Sequence, residues 1–195
     1  NLVNIKNKNI IEIGPGKGAL TNQIVIRKPK SIILIEKDNL LSKKLKKKYN
    51  KINSIKIFNQ DILNFDLEKV IKRDTIIFGN LPYNISSQIL IKILKLKKWP
   101  PKYTSLIFMF QKEVAEKIYG KFNTSKYGRL SIIANYKLMI FKKFDISPNC
   151  FSPKPKVIST VLHLKPNNKN YVKLVNINNL EKITQILFSN KRKMI

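Results

Sequence analysis

Cysteine is nearly absent: the 195 residues contain one, Cys150. A single thiol excludes an internal disulfide and any zinc site built on several cysteines, so no metal centre is expected. Acidic residues are also scarce, 11 against 39 Lys and Arg, which leaves a formal charge of +28. Arginine itself is rare, with Arg27, Arg73, Arg129 and Arg192 the full set, so the positive charge is almost all Lys. Lys, Ile and Asn are abundant together, and all three are encoded by A/T-rich codons. Part of the excess therefore reads as codon drift and a solvated Lys surface. The other reading is a polyanionic partner such as RNA, DNA or anionic lipid, because clustered Lys neutralises phosphates and releases counterions. No apolar run approaches the roughly 20 residues that span a bilayer. No signal-peptide pattern precedes the first strand-like run, so a cytoplasmic location without a membrane partner is expected. A hydrophobic fraction of 43% is enough for a packed core.

The first half of the chain alternates short apolar runs with amphipathic, Lys-rich stretches. Strands are predicted over Asn9–Ile13, Ser31–Glu36, Ser54–Asn59, Asp74–Gly79 and Thr104–Phe110. Helices are predicted over Ala19–Arg27, Asn39–Tyr49 and Ser86–Leu96, with another starting at Glu113–Tyr119. This alternation implies right-handed βαβ crossovers and a mostly parallel sheet. After Gly128 the pattern changes. Tyr136–Phe144 and Val157–Leu164 read as longer strands joined by the Pro-rich loop Ser147–Pro155, a pair that closes one edge of the sheet antiparallel. Leu180–Phe188 begins a final helix running into Asn190–Lys193.

Glu12-Ile-Gly14-Pro-Gly16-Lys-Gly18 follows the first strand and opens a helix. Glycines there let the backbone turn tightly and approach a ligand beside the helix N-terminus. The spacing is neither the dinucleotide G-x-G-x-x-G nor a Walker sequence, which tells against NAD and ATP. Glu12, before the first Gly, suits a ligand with a cationic amine. Glu36 ends the second strand, where a carboxylate accepts from both hydroxyls of a ribose. Asp61, in Gln60-Asp61-Ile62, ends the third strand and is placed to accept from an adenine amine while the Ile62 backbone reads the ring edge. Singly, each acid is equally a helix cap or an exposed strand end. Together they converge on the crevice at the carboxyl ends of the strands. They point to an adenosine-bearing ligand with a non-phosphate tail, S-adenosylmethionine. Asn80-Leu81-Pro82-Tyr83 ends the fourth strand. A plain turn does not require this order, or an aromatic beside the same crevice.

These residues carry a resemblance to a known family. The chain resembles the adenine-N6 dimethyltransferases of small-subunit ribosomal RNA, the kasugamycin-resistance methyltransferases. The matching segments are Glu12–Thr21, Ile35–Asp38, Gln60–Leu63, Phe78–Ser86, Phe110–Ile118, Tyr127–Ser131, Phe151–Val157 and Asn190–Ile195, in order over nearly the whole chain. Erythromycin-resistance ribosomal methylases and mitochondrial transcription factor B are related. Asn-Leu-Pro-Tyr, with Tyr127–Ser131 and the closing Arg-Lys-Met-Ile, looks more like the housekeeping enzyme.

The resemblance implies a Rossmann-like α/β methyltransferase fold: a mostly parallel seven-stranded sheet with an antiparallel edge hairpin. It implies a monomer that uses S-adenosylmethionine to dimethylate two adjacent adenines near the 3′ end of small-subunit RNA. Its partner would be that RNA within the pre-ribosomal small subunit. Gly14, Glu36, Asp61 and Asn80 carry over as cofactor contacts, with Glu12, Gly16 and Ile62 beside them. The Asn80 side chain and Leu81 carbonyl hold the target amine, Pro82 stiffens the loop, and Tyr83 stacks on the base with Phe151 on its other side. Arg129, Lys154, Lys191 and Arg192 are candidate RNA contacts. His163, Cys150 and Trp99 are read as structural, and the Lys43–Lys48 run as a solvated helix face. In the family a Gln-Asn-Phe-Leu segment precedes the first strand and a helical domain follows the last helix. The chain is therefore expected to be the catalytic core of a longer enzyme, residues 1–178, plus the start of a helical domain, 179–195. The competing readings are an RNA-binding checkpoint factor in ribosome assembly, a large-subunit methylase of the erythromycin-resistance type, a transcription-factor relative and a DNA adenine methyltransferase. The last usually carries Pro-Pro-Tyr after its Asp or Asn.

Overall fold

A run such as Ile32–Ile35 is apolar at successive positions, so as a strand it needs cover on both faces of its sheet. The computed structural model, which describes residues 2–152, 154–167 and 176–189, supplies that cover. Strands β1 (Asn9–Ile13), β2 (Ser31–Glu36), β3 (Ile55–Asn59), β4 (Thr75–Asn80) and β5 (Tyr103–Gln111) are parallel. Between them run α1 (Ala19–Ile26), α2 (Asn39–Lys48) and α3 (Ser86–Leu94), followed by α4 (Lys112–Ile118) and α5 (Arg129–Lys137). Strands β6 (Leu138–Ile146) and β7 (Ser159–Pro166) complete a seven-stranded sheet in the order β3-β2-β1-β4-β5-β7-β6, and α6 spans Ile177–Ser189. The β7 strand is antiparallel to both β5 and β6, so the antiparallel edge expected from the sequence is present.

The core lies on the two faces of the sheet. Ile11, Ile13, Ile77, Leu106, Phe108, Phe110, Leu162 and Leu164 pack with Ile89 and Leu90 of α3, Ala115 of α4 and Ile133 of α5. Ile10, Ile32, Leu34, Ile76, Ile107 and Val161 pack on the opposite face with Ile24 of α1 and Leu45 of α2. Alternating residues of one apolar strand therefore feed two separate clusters.

Several expected bounds are corrected; β7, for one, starts at Ser159 rather than Val157. The predicted strand Tyr136–Phe144 begins too early, because α5 occupies Arg129–Lys137 and β6 starts only at Leu138. The helix starts on Gly128, whose N–H donates to Ser131 Oγ at 2.9 Å while that hydroxyl donates back to the Gly128 carbonyl at 2.7 Å. Its last residue, Lys137, is buried; the ammonium donates to the Leu94 carbonyl at 2.6 Å and lies 4.5 Å from the Trp99 ring centroid. Local capping at one end and tertiary anchoring at the other thus outweigh the β-branched residues within the helix. At the other end of the chain, α6 starts at Ile177, ahead of the predicted Leu180. Ile177 and Leu180 pack on the main cluster, while Ile183, Ile186 and Leu187 face outward.

Candidate active site

The carboxyl ends of β1, β2 and β4 lie side by side, with Ile13 opposite both Ile35 and Gly79. Leaving β1, the chain takes positive φ at Gly14, Gly16 and Gly18 (67°, 58° and 80°). The Gly14 N–H donates to the Ile35 carbonyl at 3.0 Å, which ties the turn to β2. The Gly16 N–H points to the same strand end and donates to Glu36 Oε2 at 3.0 Å. Gly18 is enclosed: a Cβ there would stand 2.7 Å from the Tyr49 hydroxyl.

Glu36 closes β2 and is 7% exposed. Its second oxygen, Oε1, accepts the Asp38 N–H at 2.9 Å. Each carboxylate oxygen thus takes one backbone donor and keeps a lone pair for a further one. The Asn59 side chain donates to the Glu36 and Lys37 carbonyls at 3.0 and 3.1 Å, which locks the ends of β2 and β3 together.

Glu12 is buried in β1, and the Thr21 hydroxyl donates to its Oε2 at 2.7 Å. Burial pushes its carboxyl up to about 7; the Thr21 bond opposes this and the nearby Glu36 adds to it. Asp61 lies two residues past β3. Its Oδ1 accepts the Leu63 N–H at 2.9 Å, and its Oδ2 takes the Lys37 ammonium at 2.8 Å. The Lys37 hydrogen bond first, then the Leu63 N–H, hold this carboxyl below its ordinary value. Ile62, next in the chain, buries its side chain in the main cluster.

Asn80, the last residue of β4, is exposed at the rim opposite Met109, and its carbonyl would lie 3.8 Å from a Cβ on Gly14. Leu81 is buried and Pro82 exposed. Tyr83 is half-buried, with its hydroxyl 2.8 Å from Ser159 Oγ on β7. The Ile85 N–H donates to the Pro82 carbonyl at 3.2 Å, and the Ser86 hydroxyl to the Tyr83 carbonyl at 3.1 Å. The tetrapeptide is thus a braced turn that feeds α3. Phe151 follows the short 3-10 turn Pro148–Cys150, is half-buried, and packs against the cluster containing Met109 and Val161.

The structure therefore brings Glu12, Gly14, Gly16, Glu36, Asp61 and Asn80 to one end of the sheet. Arg129 is engaged in an ion pair of 2.6 Å with Glu181 of α6. Glu181 also takes Lys95, and all three residues line a cavity of about 930 Å³ walled by Asn64–Glu68 and α3. Lys154 is exposed beyond Phe151, and Lys191 and Arg192 lie outside the described residues. His163 is structural, as expected: it is buried, its Nε2 lies 2.9 Å from Ser105 Oγ, and burial lowers its pKa. Sequence reasoning missed Thr21, Lys37 and Ser159, the partners of Glu12, Asp61 and Tyr83. Thr21 closes the Glu12–Thr21 segment and Lys37 follows Glu36, so both had a positional signal, whereas Ser159 lies 76 residues from Tyr83.

The family model described as ribosomal RNA adenine dimethylase matches residues 1–195. The chain is 47% identical over 197 residues to ribosomal RNA small subunit methyltransferase A of Pelagibacter ubique, covering 100% of this chain and 73% of that one. It is 36% identical over 193 residues to the protein of the same name from Rhizobium etli, covering 98% and 70%. Among solved structures it is similar to a dimethyladenosine transferase from Plasmodium falciparum, with TM-score 0.80 and 29% identity over 98% of this chain and 67% of that one. The 23S rRNA methyltransferase ErmE shares the fold, with TM-score 0.74 and 21% identity over 97% and 74%.

Proposed function

The chain belongs to the ribosomal RNA adenine dimethylase family, and from that premise we propose that it dimethylates the N6 amines of adenines in small-subunit ribosomal RNA. The donor is S-adenosylmethionine, and the substrate bases are two neighbouring adenines near the 3′ end of that RNA, in the small subunit or its precursor. One observation carries this reading. Asn80-Leu81-Pro82-Tyr83 stands at the carboxyl end of β4, beside the glycine turn of β1 and the acids that follow β2 and β3.

The residues present fit an adenosine-bearing sulfonium. Glu36 is held at its strand end by two N–H donors, with acceptor capacity left for ribose hydroxyls. Asp61 and the Ile62 backbone are the adenine contacts, and the positive-φ turn at Gly14 and Gly16 lets backbone approach the ligand without an intervening Cβ. Glu12, behind that turn with its carboxyl raised to about 7 by burial, is placed to take up negative charge when a cation sits on the amine side. When bound, the cofactor supplies an electrophilic methyl group on sulfur.

An adenine amine is a poor nucleophile because its lone pair is delocalised into the ring. In the first transfer the Asn80 side-chain oxygen and the Leu81 carbonyl accept its two N–H bonds and turn the lone pair toward the methyl; in the second, the one remaining N–H is held by one of these acceptors. Pro82 has no N–H and a fixed φ, so the acceptors are held in place before the base arrives. This is catalysis by position and preorganised dipoles. The surplus proton leaves the product nitrogen for water, so no strong base is needed. Tyr83, its hydroxyl anchored on Ser159, offers a ring face to a base drawn out of its stack, and Phe151 is the proposed partner for the other face of that base. Lys154 and the lysine-rich surface meet the phosphates.

The test is methylation of small-subunit particles with labelled cofactor, followed by mapping of the modified bases. Dimethylated adenine near the 3′ end supports the reading. Label confined to large-subunit RNA, or stable particle binding without transfer, contradicts it; the second result favours an assembly factor.

A further inference from the structure

Glu36 ends β2, Asp61 lies two residues past the end of the neighbouring β3, and a lysine joins them. Lys37 follows Glu36 directly in the chain, and its ammonium reaches Asp61 Oδ2 at 2.8 Å. Its backbone is fixed by the Asn59 side chain, which donates to the Lys37 carbonyl at 3.1 Å. The four-carbon stem therefore runs between the proposed ribose and adenine anchors. The other Asp61 oxygen already accepts the Leu63 N–H at 2.9 Å, so the carboxylate is held from both sides.

We propose that Lys37 is a positioning and specificity residue for the cofactor's adenine: its stem forms one wall of the base site, and its ammonium orients Asp61 to select a 6-amino purine. This rests on the proposed use of S-adenosylmethionine and adds a role for a residue outside the glycine turn and the strand-end acids. An amine at purine position 6 donates to the free lone pairs of Asp61. A 6-oxo purine offers an acceptor there and faces the carboxylate's negative charge. Discrimination of this kind requires a carboxylate that does not rotate away, and Lys37 is the side chain that holds it. Lys37 is itself 73% exposed, so its burial contributes little to folding, and its substitution tests the site more than the fold.

The experiment measures affinities of the protein for S-adenosylhomocysteine and its 6-oxo analogue, S-inosylhomocysteine, by titration calorimetry. The unaltered protein is compared with Lys37→Arg, Lys37→Met and Lys37→Ala. The expected result is a preference for the 6-amino ligand that Lys37→Arg retains. Lys37→Met should lose roughly five- to tenfold of that preference, about the weight of one net hydrogen bond, while binding the 6-amino ligand better than Lys37→Ala does. Equal preference in all four proteins, with tight binding throughout, overturns the role of Lys37 and leaves the proposed function standing. No binding of S-adenosylhomocysteine by the unaltered protein overturns both.

Discussion

Glu36 accepts the N–H of Gly16 across 20 residues of chain, at 3.0 Å, so the proposed ribose anchor is also what holds the glycine turn in place. The cofactor site and the local fold share one carboxylate.

Replacing Glu36 by Ala should therefore do two things. Affinity for S-adenosylmethionine should fall by roughly 1.5–3 kcal/mol, the range for hydrogen bonds to a charged group. Stability should also fall, by about 1–2 kcal/mol, because two backbone donors lose their acceptor. Calorimetric binding and urea unfolding measure the two losses separately. Unchanged affinity would remove Glu36 from the cofactor site.

Gly18 pairs an φ of 80° with the Tyr49 hydroxyl 2.7 Å from where a Cβ would stand. Gly18→Ala should cost roughly 1–2 kcal/mol for the left-handed backbone alone, with a steric part added. In a Tyr49→Phe background the steric part should shrink, so the pair should be non-additive. Denaturant unfolding of the single and double variants measures this, and strict additivity would contradict the close contact.

Glu12 gives a pH signature. Its carboxyl is raised from 4.5 to about 7 in the folded protein, mainly by burial. The folded state therefore binds more protons than the unfolded chain between these values. The stabilisation is complete below 4.5 and is lost as pH rises through about 7. Glu12→Gln should remove this part of the slope, which amounts to a few kcal/mol at most. The check is chemical unfolding of both proteins at pH 5, 6, 7 and 8. Parallel curves for the two would contradict the shift.

The legible part of the fold was local. β1 and β2 were readable to the residue because β-branched runs, a glycine turn and a helix cap bound them within a few positions. The site acids were legible for the same reason, since strand ends in a parallel sheet converge. Helix α5 was not. Ile132 and Ile133 lean toward strand, and beyond the local Gly128–Ser131 cap what holds the helix is remote: Glu181 on Arg129, and Leu94 and Trp99 on Lys137. Arg129 illustrates the cost. Its charge looked available to phosphate from the sequence, but it is paired with an acid 52 residues away. Lys37 with Asp61, and Tyr83 with Ser159, are likewise contacts between elements that no local pattern reports.

The central claim is that Asn80 and its turn present adenine amines of small-subunit RNA for methyl transfer. The most direct measurement compares the unaltered protein and Asn80→Ala on small-subunit particles, with N6-methylated and N6,N6-dimethylated adenosine quantified by mass spectrometry of the digested RNA. Cofactor affinity is recorded alongside. Dimethyladenosine should form with the unaltered protein. It should fall by at least about 100-fold with Asn80→Ala, comparable to removing one preorganised polar group from a transition state, while cofactor affinity falls far less. Near-normal dimethylation by Asn80→Ala, or its loss only in proportion to lost cofactor binding, would contradict the account.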